Sequence, residues 1–187
     1  MQCSNLLIIG SSTGGPRILE ELFATLPPLN AAVLIVQHIT KGIDESFAAS
    51  LSRFLSIPVR LAIDGEPLQH RVALVAPGGL HLTLGNNRTV RLSQGEKVNS
   101  VCPSIDVAMN SAQPHNGGKL AGVILTGMGR DGAEGITHIK KVGGITIAQD
   151  QSTSVIFGMP KAAVETGCVD FVLTTSQIGR KLGELFA

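Results

Sequence analysis

Five stretches of the chain are apolar on consecutive positions: Leu6-Leu7-Ile8-Ile9, Ala32-Val33-Leu34-Ile35-Val36, Val72-Ala73-Leu74-Val75, Gly122-Val123-Ile124-Leu125 and Ile145-Thr146-Ile147-Ala148. A strand with one wetted face alternates apolar and polar residues, so these runs predict strands buried on both faces, as in a parallel sheet. Helix-length segments lie between them, at about Pro16 to Thr25, Asp44 to Leu55, Pro103 to Ala112, Asp131 to Val142 and Pro160 to Glu165, with a last one near Ser176 to Leu185. Pro16, Pro103 and Pro160 suit first-turn positions, where the missing N–H costs little, and Gly143-Gly144 can end the helix that follows Asp131. Strands alternating with helices predict an α/β fold with a largely parallel sheet.

One segment breaks the rhythm. Leu80 to Leu84 and Thr89 to Leu92 alternate apolar and polar residues around Gly85-Asn86-Asn87-Arg88, which predicts a surface β-hairpin inserted in the parallel framework. There is no internal repeat and no Pro/Ser-rich linker, so the 187 residues read as one domain. A chain of this size buries roughly 70% of the surface its unfolded form exposes, enough for a substantial core.

Composition narrows the partners. Lys and Arg total 15 against 14 for Asp and Glu, and a net charge of +1 provides no strong attraction to nucleic acid or anionic lipid. The chain has no Trp or Tyr and six Phe, which leaves little stacking surface for single-stranded nucleic acid or sugars. Cys3, Cys102 and Cys168 have no metal-ligand spacing and suit ordinary thiols in a reducing compartment. The apolar runs are too short to span a membrane, and no signal-like segment precedes them, so a cytoplasmic location is expected.

The first strand runs into Gly10-Ser11-Ser12-Thr13-Gly14-Gly15-Pro16, which matches G-x-S-x-G and sets Ser12 on a glycine-rich strand-to-helix turn. Small neighbours let a carbonyl approach the hydroxyl, and free N–H groups at the helix start can meet an oxyanion. The same turn also fits a helix-capping serine in a phosphate-binding or purely structural loop. The second strand ends in Gln37-His38, and a neighbouring parallel strand would bring this imidazole to the rim that carries Ser12. His38 is then a candidate base, against the alternative of a structural polar group. His70, His81, His115 and His138 fall in predicted loops, hairpin or helix, with His81 the one most apt to lie near the site.

A second glycine-rich turn, Thr126-Gly127-Met128-Gly129-Arg130-Asp131-Gly132, follows the Gly122 strand and fits two chemistries. Gly127, Gly129 and Gly132 satisfy G-x-G-x-x-G, and Asp150 follows the next strand where a ribose-binding acid is expected. Asp131, however, stands inside that fingerprint, where its charge would repel a pyrophosphate. A carboxylate at a helix entrance instead suits an acid that orients an imidazole, or a simple helix cap. The order Ser12, His38, Asp131 differs from the serine, acid, histidine order of the α/β-hydrolase fold, so any triad here must be judged by geometry.

Together these residues resemble a known family. The segments Ile9-Gly10-Ser11-Ser12-Thr13-Gly14-Gly15, Val36-Gln37-His38, Ala76-Pro77-Gly78, Pro103-Ser104-Ile105-Asp106, Ile124 to Gly132 and Phe157-Gly158-Met159-Pro160 are similar, in order, to the catalytic domain of bacterial chemotaxis protein-glutamate methylesterases of the CheB type. The resemblance implies a doubly wound, mostly parallel sheet with helices on both faces. It also implies hydrolysis of glutamate γ-methyl esters on the cytoplasmic helices of chemoreceptors, releasing methanol, with deamidation of receptor glutamines by some members. Ser12 would be the nucleophile, His38 the base and Asp131 its orienter, with Thr13 and Met128 lining the turn and Met128 offering a backbone donor to the oxyanion. No cofactor and no metal are expected. Members commonly carry an N-terminal receiver domain, whereas residues 1–187 are expected to be catalytic domain alone, which leaves a receiver domain on a separate chain as a conceivable partner. Cys102 stands where an arginine is frequent in the family. Two other functions remain open at this point: a hydrolase of another ester or amide, and a nucleotide-binding module built on the Gly127 loop.

Overall fold

Leu6 and Ile8 face one way along the first strand, Leu7 and Ile9 the other, and all four are fully buried. In a computed structural model of the chain, which describes residues 4–186, this double burial comes from a seven-stranded sheet with a hydrophobic core on each side. Its centre is formed by β1 (Leu6–Ser11), β2 (Ala32–Gln37), β4 (Val72–Val75), β7 (Leu120–Ile124) and β8 (Ile145–Gln149). Two short strands, β3 (Val59–Leu61) and β9 (Phe171–Leu173), form the edges. The order is β3-β4-β2-β1-β7-β8-β9, and every pair is parallel.

Helices cover both faces. On one side α1 (Gly15–Thr25), α2 (Asp44–Leu51) and α6 (Thr175–Phe186) bring Ile18, Leu22, Phe47, Ile178 and Leu182 onto Leu7, Ile9, Val33 and Val123. On the other, α3 (Ile105–Asn110), α4 (Ala133–Lys141) and α5 (Met159–Glu165) press Ile105, Met109, Ile136 and Met159 onto Leu6, Ile8, Leu34 and Ile124. Each buried leucine or isoleucine contributes about 1.5–3 kcal/mol, so neither face of the sheet can turn to water. Among the described residues no helix is long and apolar enough to cross a membrane.

Most predicted elements stand within a few residues of their expected bounds, and Pro16 and Pro160 occupy first-turn positions as expected. Gly143, at φ 83°, ends α4, and the next amide, Gly144 N–H, reaches back to the Ile139 carbonyl at 2.8 Å. Pro103 differs from expectation. It precedes the helix, joined to Cys102 by a cis peptide bond, and the helix is capped by Ser104 and runs only from Ile105 to Asn110. The hairpin, β5 (His81–Leu84) and β6 (Val90–Ser93), is antiparallel around a turn of 3-10 helix at Asn86–Arg88. It is less superficial than its alternation suggests, because Leu82 and Val90 pack into the core beside α3. Cys102 and Cys168 are free thiols; Cys3 lies outside the described residues.

Candidate active site

Strands β1 and β2 pair in register up to Ser11 and Gln37, so Ser12 and His38 are the next residues out on adjacent strands. The His38 N–H donates to the Ser11 carbonyl at 3.0 Å and the Ser12 N–H to the Thr126 carbonyl at 3.0 Å. The serine turn is thereby pinned between its two neighbours in the sheet. Gln37 completes the frame from beneath. Its Oε1 accepts from Ser11 Oγ at 2.6 Å, and its Nε2 donates to the carbonyls of Ser12 at 3.0 Å and His38 at 3.1 Å. Gly15 has to be glycine for this amide to pass, because a Cβ there would lie 2.3 Å from Gln37 Oε1.

His38 Nε2 lies 2.7 Å from Asp131 Oδ2, although the two residues are 93 apart in the chain. Asp131 is a carboxylate surrounded by donors. Its Oδ2 also accepts the Ile105 N–H at 2.7 Å, while Oδ1 accepts Ser104 Oγ at 2.7 Å, the Asp106 N–H at 3.2 Å and Asn99 Nδ2 at 3.2 Å. Burial pushes this carboxyl up, but the bonds from His38, Ile105, Ser104 and Asp106 outweigh it and hold the group below its usual range. A charged Asp131 accepts, so the imidazole donates through Nε2 and neutral His38 keeps its lone pair on Nδ1. Among the described residues Ser12 Oγ makes no hydrogen bond. The structure thus joins the imidazole to the acid and leaves the serine hydroxyl unengaged on the adjoining strand.

A second acid stands behind the first. Asp106 Oδ1 accepts the N–H groups of Gly132 at 2.9 Å and Gly135 at 2.7 Å, and its Oδ2 accepts Asn99 Nδ2 at 2.8 Å. Burial pushes Asp106 up, the Gly135 N–H opposes this and the nearby charge of Asp131 adds to it, leaving the carboxyl at about 6. Asp131 was expected to feel the field of the helix it precedes. It sits instead on the start of α3, and Asp106 caps α4 in its place.

The Gly127 loop contributes closeness rather than a cradle. A Cβ on Gly127 would lie 2.3 Å from Met159 Sδ and 2.7 Å from Ser12 Cβ, so the space against this glycine is filled by the serine itself. Asp150 is likewise committed, with its carboxylate accepting from the N–H and hydroxyl of Thr153 and from Ser152 Oγ in its own turn. Both features of the dinucleotide fingerprint are therefore used within the fold. Thr13 is exposed at the mouth of the turn, Met128 is 70% exposed opposite it, and among the described residues the N–H of neither has an intramolecular acceptor.

Of the other histidines, His81 stands nearest the site, one residue removed from Asp131 through Ser104. His81 is buried behind α3, accepting the Ser104 N–H on Nδ1 at 3.2 Å, with Nε2 at 2.9 Å from the Glu96 carbonyl. His138 bonds the Ala112 carbonyl at 2.8 Å. The residues that sequence reasoning passed over are Gln37, Asn99, Ser104 and Asp106 in their supporting roles. A serine just ahead of an apolar helix start does signal a cap, but nothing local marks Asn99, which reaches both acids from a turn at φ 52°. Among the described residues no group of three or more His, Cys, Asp or Glu side chains is placed to hold a metal ion.

Comparison with known proteins identifies the family. The family model described as CheB methylesterase matches residues 7–182. A protein-glutamate methylesterase/protein-glutamine glutaminase of Sulfurimonas denitrificans is 43% identical over 187 residues, covering 98% of this chain and 53% of that protein. Its counterpart from Haloarcula marismortui is 46% identical over 177 residues, covering 92% of this chain and 48% of that protein. The chain therefore spans about half the length of the curated relatives it matches. The crystal structure of the Thermotoga maritima CheB methylesterase catalytic domain superposes with a TM-score of 0.92 at 39% identity, covering 97% of this chain and 98% of that one. By family model, sequence and fold, the chain belongs to the CheB methylesterase family.

Proposed function

We propose that the chain is a serine hydrolase that removes methyl groups from glutamate γ-methyl esters of chemoreceptor cytoplasmic domains and also deamidates receptor glutamines. The observation that carries this is the 2.7 Å bond from His38 to a charged, buried Asp131, one strand away from an unbonded serine hydroxyl. The names of the half-matched relatives, which pair methylesterase with glutaminase, support the same substrates.

In this mechanism Nδ1 of His38 takes the Ser12 proton as Oγ attacks the ester carbonyl. Asp131 keeps the ring oriented and stabilises the imidazolium without accepting its proton. In this reading the N–H groups of Thr13 and Met128, which have no acceptor among the described residues, receive the oxyanion. The imidazolium then protonates the departing methoxide, methanol leaves, and a water deprotonated by the same nitrogen hydrolyses the acyl-serine to a free carboxylate. With a glutamine side chain the same steps release ammonia. No step calls for a metal or organic cofactor. Residues 1–187 act as the catalytic domain.

Methanol release from methylated receptors tests this. Ser12→Ala and His38→Ala are expected to lower turnover by at least ~10³-fold while leaving the melting temperature within a few degrees of wild type. Wild-type rates in a folded Ser12→Ala protein would remove Ser12 as nucleophile. Silent calorimetric titrations with NAD and ATP are expected, and saturable tight binding would instead favour the nucleotide module.

A further inference from the structure

The rim of the sheet is chemically asymmetric about Ser12. Strand order places β2 and β4 on one side of the serine and β7 and β8 on the other. On the β7 and β8 side apolar Met128, 70% exposed, and Val155, 57% exposed and packed against Gly14 of the serine turn, stand beside the exposed Arg130, with no comparable cavity wall of paired lysines among the described residues. On the β2 and β4 side a cavity of about 490 Å³ opens directly beside His38. Its walls include Lys41, Lys97, Ser100 and Cys102.

Both lysines are exposed, and among the described residues neither makes an ion pair. Two of the nearby acids, Asp44 and Asp131, are engaged by donors of their own, while Glu45 and Glu96 are exposed and, among the described residues, in no ion pair. Asp44 spends its carboxylate on the N–H groups of Gly42, Glu45 and Gly78. Asp131 is enclosed by five donors. Burial pushes the Cys102 thiol up, and although the Lys97 ammonium draws it down, the net shift keeps the thiol neutral, so it supplies no counter-charge. Glu96 is the one acidic neighbour in the wall segment, and its side chain is turned to solvent. Two ammonium groups without an ion-pair partner among the described residues, in one concave wall, give a local positive field on a chain whose net charge is only +1.

We infer that this cavity is a subsite for a carboxylate side chain of the substrate polypeptide, held by Lys41 and Lys97 beside the ester bound at Ser12, so that the enzyme selects esters in acidic sequence. The inference rests on the esterase reading above and adds its specificity. Polypeptide chemistry fits both halves of the rim: a carboxylate enters the lysine cavity while an apolar neighbour lies on Met128 and Val155. Because the lysines are exposed, the selection acts mainly through encounter and KM and is weakened by salt.

Two synthetic peptides test it, each carrying one glutamate γ-methyl ester, flanked in one by glutamates and in the other by glutamines. At low ionic strength the wild-type protein is expected to favour the acidic peptide by about tenfold in kcat/KM, chiefly through KM. The preference should shrink several-fold in 0.5 M salt. Lys41→Glu and Lys97→Glu should each reduce the ratio, and the double variant should bring it below one. Equal rates on both peptides, or an unchanged ratio in the double variant, would overturn the subsite and leave the esterase standing. Hydrolysis of neither peptide by wild-type protein would sink both.

Discussion

Asp106 and Asp131 cap each other's helices: Asp131, which leads into α4, accepts the first N–H groups of α3, while Asp106, within α3, accepts those at the start of α4. Ser104 caps α3 only at the Val107 N–H, so first-turn donors of both helices still depend on the other's acid, and packing one against the other also fixes the acid behind His38. Asn99 Nδ2 bridges the two carboxylates, donating to Asp106 at 2.8 Å and to Asp131 at 3.2 Å. The two acids divide the charge unequally, Asp131 below the usual carboxylate range and Asp106 at about 6.

That division predicts a pH dependence of stability. In the unfolded chain the Asp106 carboxyl returns to near 3.8, whereas in the folded protein it stands at about 6. Between those values the folded state binds more protons, so stability falls as pH rises through the window. Asp131, shifted the other way, loses its contribution only as pH drops below 3.8. Asp106→Asn keeps an oxygen for the two glycine amides, loses about 1 kcal/mol at Asn99, and should remove the decline between pH 4 and 6. Urea midpoints against pH for both proteins check this, and parallel curves would count against the assignment.

Asp131→Asn is expected to damage both stability and rate. Each carboxylate oxygen accepts at least two donors, so an amide nitrogen in either position faces N–H or N–H-like groups that cannot all turn away. The cost is about 2–3 kcal/mol of stability, with turnover down by about 10³-fold or more through loss of the imidazole's orientation. Melting curves and methanol release measure the two effects separately. A stable variant with near-normal turnover would mean that the acid does not orient His38.

Gln37→Leu keeps the volume but leaves Ser11 Oγ and the His38 carbonyl without partners beneath the site and the Ser12 carbonyl with the Gly15 N–H alone. We expect about 2 kcal/mol lower stability and a kcat reduced by about tenfold with little change in KM, since the serine turn loses its floor rather than its substrate contacts. Unchanged kcat at reduced stability would assign Gln37 a purely structural role.

The legibility of the chain followed burial. Central strands such as Leu6 to Ile9 announce themselves because both faces must be apolar. The edge strands Val59–Leu61 and Phe171–Leu173 escape, being three residues long and partly exposed. Ser12, His38 and Asp131 could be singled out because each follows an apolar run at the carboxyl end of a strand, where open sheets gather their ligands. Asp106 and Asn99 could not, since their importance lies in contacts 26 to 32 residues away that no local pattern encodes. The same limit explains Asp131's helix: sequence adjacency pointed to α4, and tertiary packing delivered the N-terminus of α3.

The placement of β1 between β2 and β7 also bears on how activity returns after denaturation. Serine and imidazole arrive with the first two strands, but their acid is attached to the end of a strand that begins more than eighty residues later. Parallel pairings over such separations form slowly because the intervening chain must first be ordered. A refolding chain therefore recovers its helices well before it can cleave an ester, and a nascent chain halted before residue 120 holds a hydroxyl and a ring with nothing to aim them.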